Sequence, residues 1–538
     1  MMRRGLTAVT IACVAAALFS PAGLGATRTQ LPFSSYADMI VDGGSGHVFV
    51  TGGATASSVA VLDFDGALVT TITGQQGATG MALDEANGTL YVALQNASSI
   101  SMIDTATLAE TGRFATTGMS APSRLALAGG RVWFSYNCNN SGGVGSAALD
   151  GTDLQTELGS ASSCNTFATS PTDANALAAA DVGGSTVFVY DVSSGSPVLT
   201  TSSFSPGGAG NIKQLRYTAD GGDILVASGS PYSVQAFSVA DFTLSGAYST
   251  GPYPNSVALT DAGDFVAAGA DAYYKPDAFV FDTATGTEIR HWDFGANGYT
   301  LHPGGLAFSP DASRLFAVTE NPATGKTDFR VLGSPTLPPA PTSMALSLSS
   351  SKVKYAGSVK LSAKLTGSRG RIAFYASPYL GQKTLLKRVS VDAGGKAAFT
   401  AKPTRRTTYT AEFEGDDTHA ASTSPGRVVR VHARATVSVS GSYGRSGKYK
   451  LFHHGANPQV RGGVKPNQSG SLLKFVAQRY SGGSWHTTTT ASFQIQPSGS
   501  AYAALYNTSR GKYRVRVVFS GSTINLGDTS GWAYLRVT

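Results

Sequence analysis

Short apolar runs separated by polar turns recur along the first 335 positions, and seven of them follow one plan. A brief apolar strand meets a turn and a second apolar strand in 39–42 and 48–50, 81–84 and 90–92, 125–127 and 132–134, 167–169 and 176–178. The plan returns in 215–217 and 224–226, 257–259 and 265–267, and 306–308 and 315–317. The first residues are spaced by 42, 44, 42, 48, 42 and 49 positions. Most repeats add a third strand that ends in Asp, as in 59–63, 100–104, 187–191 and 278–282, then a turn and a fourth strand.

Four short strands in about 40 to 45 residues make up one blade of a β-propeller. The pattern therefore predicts an all-β chain with a seven-bladed propeller over 27–335. The seventh repeat is one strand short, and Thr29 to Phe33 can supply the missing strand and remove two open edges. The Asp after the third strand resembles half a calcium loop in Asp63-Phe64-Asp65-Gly66. Turn chemistry explains it better, because the later ligands of such a loop are absent.

Leu90-Tyr91-Val92-Ala93 and the Val/Ile-Asp-Thr-Ala-Thr turns resemble the YVTN-type and related seven-bladed propellers of secreted bacterial proteins. The resemblance covers the propeller region and implies its architecture. Such propellers include binding proteins and lactonases, so function has to come from the site.

Four prolines between positions 334 and 342 mark 336–342 as an extended linker. Beyond it the pattern changes to strict alternation, as in Val359-Lys360-Leu361-Ser362-Ala363-Lys364-Leu365, which predicts half-buried sandwich strands. Residues 343–432 and 433–538 resemble two bacterial Ig-like domains, with Tyr409 and Tyr513 placed like the corner tyrosine of those sandwiches.

Composition adds compartment and charge. Arg3 and Arg4, an apolar run over 6–19 and small residues over 21–26 read as a signal peptide spanning 1–26. No other stretch is long and apolar enough for a transmembrane segment. The expected place is outside the cell, secreted or held at the cell wall. Export leaves Cys138 and Cys164, for which an oxidising compartment favours a disulfide over a free pair; no His is near enough in sequence for a zinc site. The 64 glycines in 538 residues suit a chain full of tight turns. The net charge of +8 conceals a division: 26–335 holds 11 Lys and Arg against 27 Asp and Glu, whereas 336–538 holds 28 against 6.

For chemistry, the predicted propeller offers His47, His291 and His302. His302 lies in an inter-blade connection, on the rim where Tyr232, Tyr253, Tyr273, Tyr274 and Tyr299 also gather. Tyrosines present flat apolar faces with a hydroxyl, suited to a sugar, peptide or protein ligand. Asp181, Asp271 and Glu320 fall on the same rim, where lactonase-type propellers hold a divalent cation such as calcium. The chain lacks a phosphate loop, a His-Glu-x-x-His motif and a nucleophile elbow. The leading expectation is a secreted, non-catalytic binding or adhesion protein that needs no cofactor. Its partners would be an extracellular polysaccharide, a cell-wall polyanion or a protein, not nucleic acid. A lactonase-like, metal-dependent hydrolase at the channel mouth is the alternative.

Overall fold

The structure, a computed structural model, describes residues 27–138, 142–156, 164–270, 276–295, 300–416 and 418–538. It is all-β: the helical pieces among the described residues are the two 3-10 turns Gln95–Ala97 and Pro206–Gly208. The chain divides into two compact units, 1–339 and 340–538. Among the described residues no helix is long and apolar enough to cross a membrane.

In the first unit the strands form repeated four-stranded antiparallel sheets, seven among the described residues. The first sheet runs Asp38–Asp42, His47–Thr51, Ser58–Asp63 and Leu68–Thr73 in spatial order. The others begin with Ala78–Asp84, Pro122–Ala128, Asn165–Thr169, Gly210–Tyr217, Pro254–Leu259 and Leu301–Phe308. Each of these leading strands packs against the leading strand of the next sheet, and Leu301–Phe308 packs back against Asp38–Asp42, so the sheets form a closed ring.

Closure uses the chain's beginning. Thr27–Gln30, and not the expected Thr29 to Phe33, pairs with Lys326–Gly333 as the outermost strand of the last sheet, with Thr27 opposite Val331 and Gln30 opposite Asp328. Leu31 and Phe33 then enter a core shared by the last and first sheets, with Val48, Val50, Phe316 and Phe329.

Adjacent sheets stack face to face, so the middle strands of each are covered on both sides. Val48, Phe49 and Val50 are fully buried, as are Val59, Ala60, Val61 and Leu62, which accounts for the continuous apolar runs. The fourth strands lie at the periphery; Leu68–Thr73 is mostly exposed.

The aspartates that end third strands serve turns. Asp104 accepts hydrogen bonds from the Thr107 amide at 2.7 Å and hydroxyl at 2.8 Å, and Asp63 accepts from the amides of Asp65 and Ala67. The Thr107 amide, then its hydroxyl, hold the Asp104 carboxyl below the usual carboxylate range.

The second unit contains two pairs of facing sheets, each pair enclosing its own core. In the first, Ser343–Leu348, Val359–Thr366 and Lys396–Ala401 face a sheet that includes Arg371–Pro378, Thr407–Phe413 and Arg427–Val431. Leu361, Leu365, Ile372, Phe374 and Tyr409 meet between them, and burial raises the Tyr409 hydroxyl to about 12. In the second, Arg434–Ser440, Gln459–Lys465 and Ser500–Ala504 face a larger sheet built on Gly511–Gly521. The Tyr513 hydroxyl donates to the Ser509 carbonyl at 2.8 Å, a bond back to the backbone four residues upstream.

The two sandwiches join without a spacer. Buried Asn525 donates through Nδ2 to the carbonyls of Thr404 at 2.9 Å and Val431 at 3.1 Å, and accepts from Gln468 at 3.0 Å. The Arg406 amide donates to the Ile524 carbonyl and the Ala433 amide to that of Leu526. The loop carrying Asn525 thus couples the sandwiches through backbone and side chain together.

Candidate ligand-binding rim and channel

Loops between second and third strands and links between sheets come out on one side of the ring, because each sheet is an up-and-down meander. Tyr232 follows Asp223–Ser230 in the first kind of loop, and Tyr253 precedes Pro254–Leu259 in the second. Their rings meet edge to face with centroids 6.1 Å apart, and both are exposed, at 55% and 45%. Tyr253 adopts φ 60, a left-handed conformation uncommon for a residue other than glycine.

His302 lies just inside Leu301–Phe308, because that strand starts five residues before the regular pairing at Leu306. It is therefore a strand residue facing inward, not part of a free connection. Its ring stacks on Tyr36 with centroids 5.2 Å apart. Its Nε2 is buried and has no hydrogen-bond partner among the described residues. Burial lowers the pKa of the imidazole, and nearby Glu320 partly opposes this.

Around this stack the leading strands bring together charges that the sequence reading did not single out. The Tyr36 hydroxyl donates to the Gly304 carbonyl at 2.8 Å. Burial and then the neighbouring Asp38 push its pKa well above the usual 10. Asp38 accepts from the amides of Met39 and Met81, each at 2.9 Å. Burial raises its carboxyl, and Arg124 is the largest influence in the other direction. Arg124 Nη1 donates to the Ala37 carbonyl at 3.0 Å. Arg216 acts on both Tyr36 and Asp38. Gly80 permits the close approach of the second and third sheets here: a Cβ would lie 2.2 Å from the Ser123 carbonyl oxygen. The sequence signal was a charge beside or within an otherwise apolar leading strand, as in Leu215-Arg216-Tyr217.

Arg216 also lines a cavity of about 520 Å³ with Met39, Val41, Pro171, Leu259 and Phe308, which belong to different sheets of the ring. The same lining carries Thr169, Thr260 and Asp261, so the cavity is mixed in polarity, and the channel is charged again around Asp38. Such a surface can orient a ligand with a polar end.

The other anticipated residues divide three ways. Tyr273, Tyr274, Tyr299 and Asp271 lie outside the described residues. Asp181 ends a strand of the fourth sheet, whereas Glu320 is exposed on the last, so two of the three supposed metal ligands stand on separate, non-adjacent sheets. Among the described residues no three His, Cys, Asp or Glu side chains come together as a metal site. His47 and His291 are away from the channel; His291 bonds Glu288 at 2.5 Å on an outermost strand.

Cys138 and Cys164 are joined in a disulfide with Cα atoms 4.6 Å apart. It ties the loop after Arg131–Tyr136 to the link before Asn165–Thr169. Ser135 reinforces this tie, exchanging hydrogen bonds with the backbone of Asn165 at 3.0 and 3.1 Å.

No protein-family model matches the chain, and no curated protein matches it. Solved structures do resemble it. The Cps50 (Swd1) β-propeller domain of Myceliophteria thermophila is 13% identical, covering 56% of this chain and 99% of that one with a TM-score of 0.45. Hydrazine synthase of Kuenenia stuttgartiensis is 14% identical over 57% of this chain and 97% of that one, also at 0.45. A functionally unknown protein from Desulfotomaculum acetoxidans is 16% identical over 51% and 89%, at 0.43. The likeness concerns the arrangement of sheets alone.

Proposed function

We propose that the chain is an exported, non-catalytic binding protein. In this reading the first unit is a seven-bladed propeller of YVTN-related type, cut from its signal peptide after about residue 26 and offering its rim and channel to a ligand. The second unit is a pair of Ig-like sandwiches that attach the protein to a cell-wall polyanion or another extracellular polyanion.

The observation that carries the reading is the separation of charge. Positions 26–335 sum to minus 16 and 336–538 to plus 22. Within the second unit 343–432 has 15 cations against 5 acids, and 433–538 has 13 against 1. Like charges on one body act together over about 8 Å at physiological ionic strength. Two sandwiches held together by Asn525 are tethered, so engagement of one brings the other within reach. On the rim, the exposed Tyr232–Tyr253 pair supports recognition of a sugar or peptide better than a reaction.

Protein purified without chelator separates this from the lactonase-like alternative. The expected result is no stoichiometric divalent metal and hydrolysis of lactones and esters at background, unchanged in His302→Ala. Turnover that disappears on chelation would overturn it.

A further inference from the structure

We propose that the outer face of the larger sheet in the second sandwich is a docking site for a phosphate-bearing sugar or polyol chain, gripped by cations that aromatic rings hold in place. The proposal rests on the reading that the second unit attaches to a polyanion, and it assigns where and how.

The face follows from alternation on Gly511–Gly521. Tyr513, Val515, Val517 and Phe519 turn into the core, which sends Lys512, Arg514 and Arg516 outward at intervals of about 7 Å. Neighbouring strands place Tyr534 and Gln478 on either side of Arg514, and Tyr449 beyond Tyr534. Trp485 lies opposite Tyr480 on the next strand pair.

Each cation is set against a ring. The Arg514 guanidinium carbon lies 4.1 Å from the centre of Trp532 and 4.6 Å from that of Trp485, and that of Arg516 lies 4.5 Å from Trp532. Lys448 Nζ sits 4.3 Å over Tyr534, and Lys512 is 5.8 Å from Tyr449 and 5.9 Å from Tyr480.

Among the described residues none of these cations forms an ion pair. The one acid between 433 and 538 is Asp528, which accepts the Ala435 amide at 2.7 Å. Arg514 spends one donor on Gln478 at 2.8 Å, and the buried Nε of Arg516 has no partner among the described residues. In the first sandwich, by contrast, Lys383 pairs with Glu412 and Arg388 with Glu414. A row of cations that form no ion pair among the described residues is complementary to a row of anions.

The rings decide which anion. A guanidinium stacked on indole keeps its plane fixed and shows its N–H edge, the geometry that grips phosphate through two hydrogen bonds. The ring faces turned toward these cations are no longer open to a stacking nucleobase, so the fitting chain carries phosphates on a sugar or polyol backbone.

The test uses the full chain and soluble poly(glycerol phosphate) at low salt. Arg514→Lys with Arg516→Lys keeps every charge but loses the planar fork, and binding should weaken about tenfold. Trp485→Ala, which removes a half-exposed ring outside the core, should weaken it comparably with melting near that of the parent. If the parent binds and both variants bind equally well, this site is wrong while polyanion attachment stands. If the parent does not bind, attachment itself fails and the site with it. Tighter binding of oligothymidylate than of poly(glycerol phosphate) would overturn the choice of ligand.

Discussion

His302 is held as a neutral imidazole by its surroundings: a stacked Tyr36 on one side and a buried Nε2 without a described partner. Burial puts its folded pKa below the ordinary 6.5. A base of this kind binds a proton more readily in the unfolded chain. Its contribution to stability is therefore complete above about pH 7 and declines as pH falls through 6.5 toward the folded value. His302→Phe should remove that decline, so the melting temperature of the parent should fall relative to that of the variant between pH 7.5 and pH 5.5. A constant difference would show that His302 does not titrate against burial. This residue was visible in the sequence because histidine is rare in the first unit. Tyr36, Asp38, Arg124 and Arg216 were not, because their significance depends on which leading strands face one another across the ring, and the order of residues in one strand does not state that.

Strands and their pairing were far more legible. A blade's two inner strands are covered on both faces, and that requirement writes apolar runs at regular intervals into the chain. That a strand from the chain's beginning closes the ring could be anticipated from a repeat lacking its fourth member, but not its place: the polar Thr27–Gln30 pairs, and the apolar stretch expected to do so turns into the core, where Leu31, 1% exposed, anchors the junction. Leu31→Ala should cost about 3 kcal/mol in denaturant unfolding, from lost burial and the cavity left behind. Leu337→Ala, at a residue 60% exposed, should cost almost nothing. Equal effects would mean that closure contributes little to the first unit. The start of Leu301–Phe308 was less legible, since its irregular pairing before Leu306 carries no apolar period. The bridge between sandwiches was not legible either, for a single Asn in a turn reads as turn chemistry until its partners are known.

Across the molecule, charge separates more sharply than any motif. The proposed function divides the work along that line, with recognition assigned to the acidic ring of sheets and attachment to the cationic pair of sandwiches. The measurement that addresses this most directly is the affinity of the full chain for poly(glycerol phosphate) over a series of salt concentrations. It should be made beside Tyr232→Ala with Tyr253→Ala, and beside a chain with Lys360, Lys364, Lys512, Arg514 and Arg516 replaced by Gln. Binding should weaken steadily as salt rises, stay unchanged in the rim variant, and be lost at low salt when the second unit's cations are neutralised. Binding that ignores salt, or that depends on the rim tyrosines and not on those cations, would overturn attachment through the cationic unit.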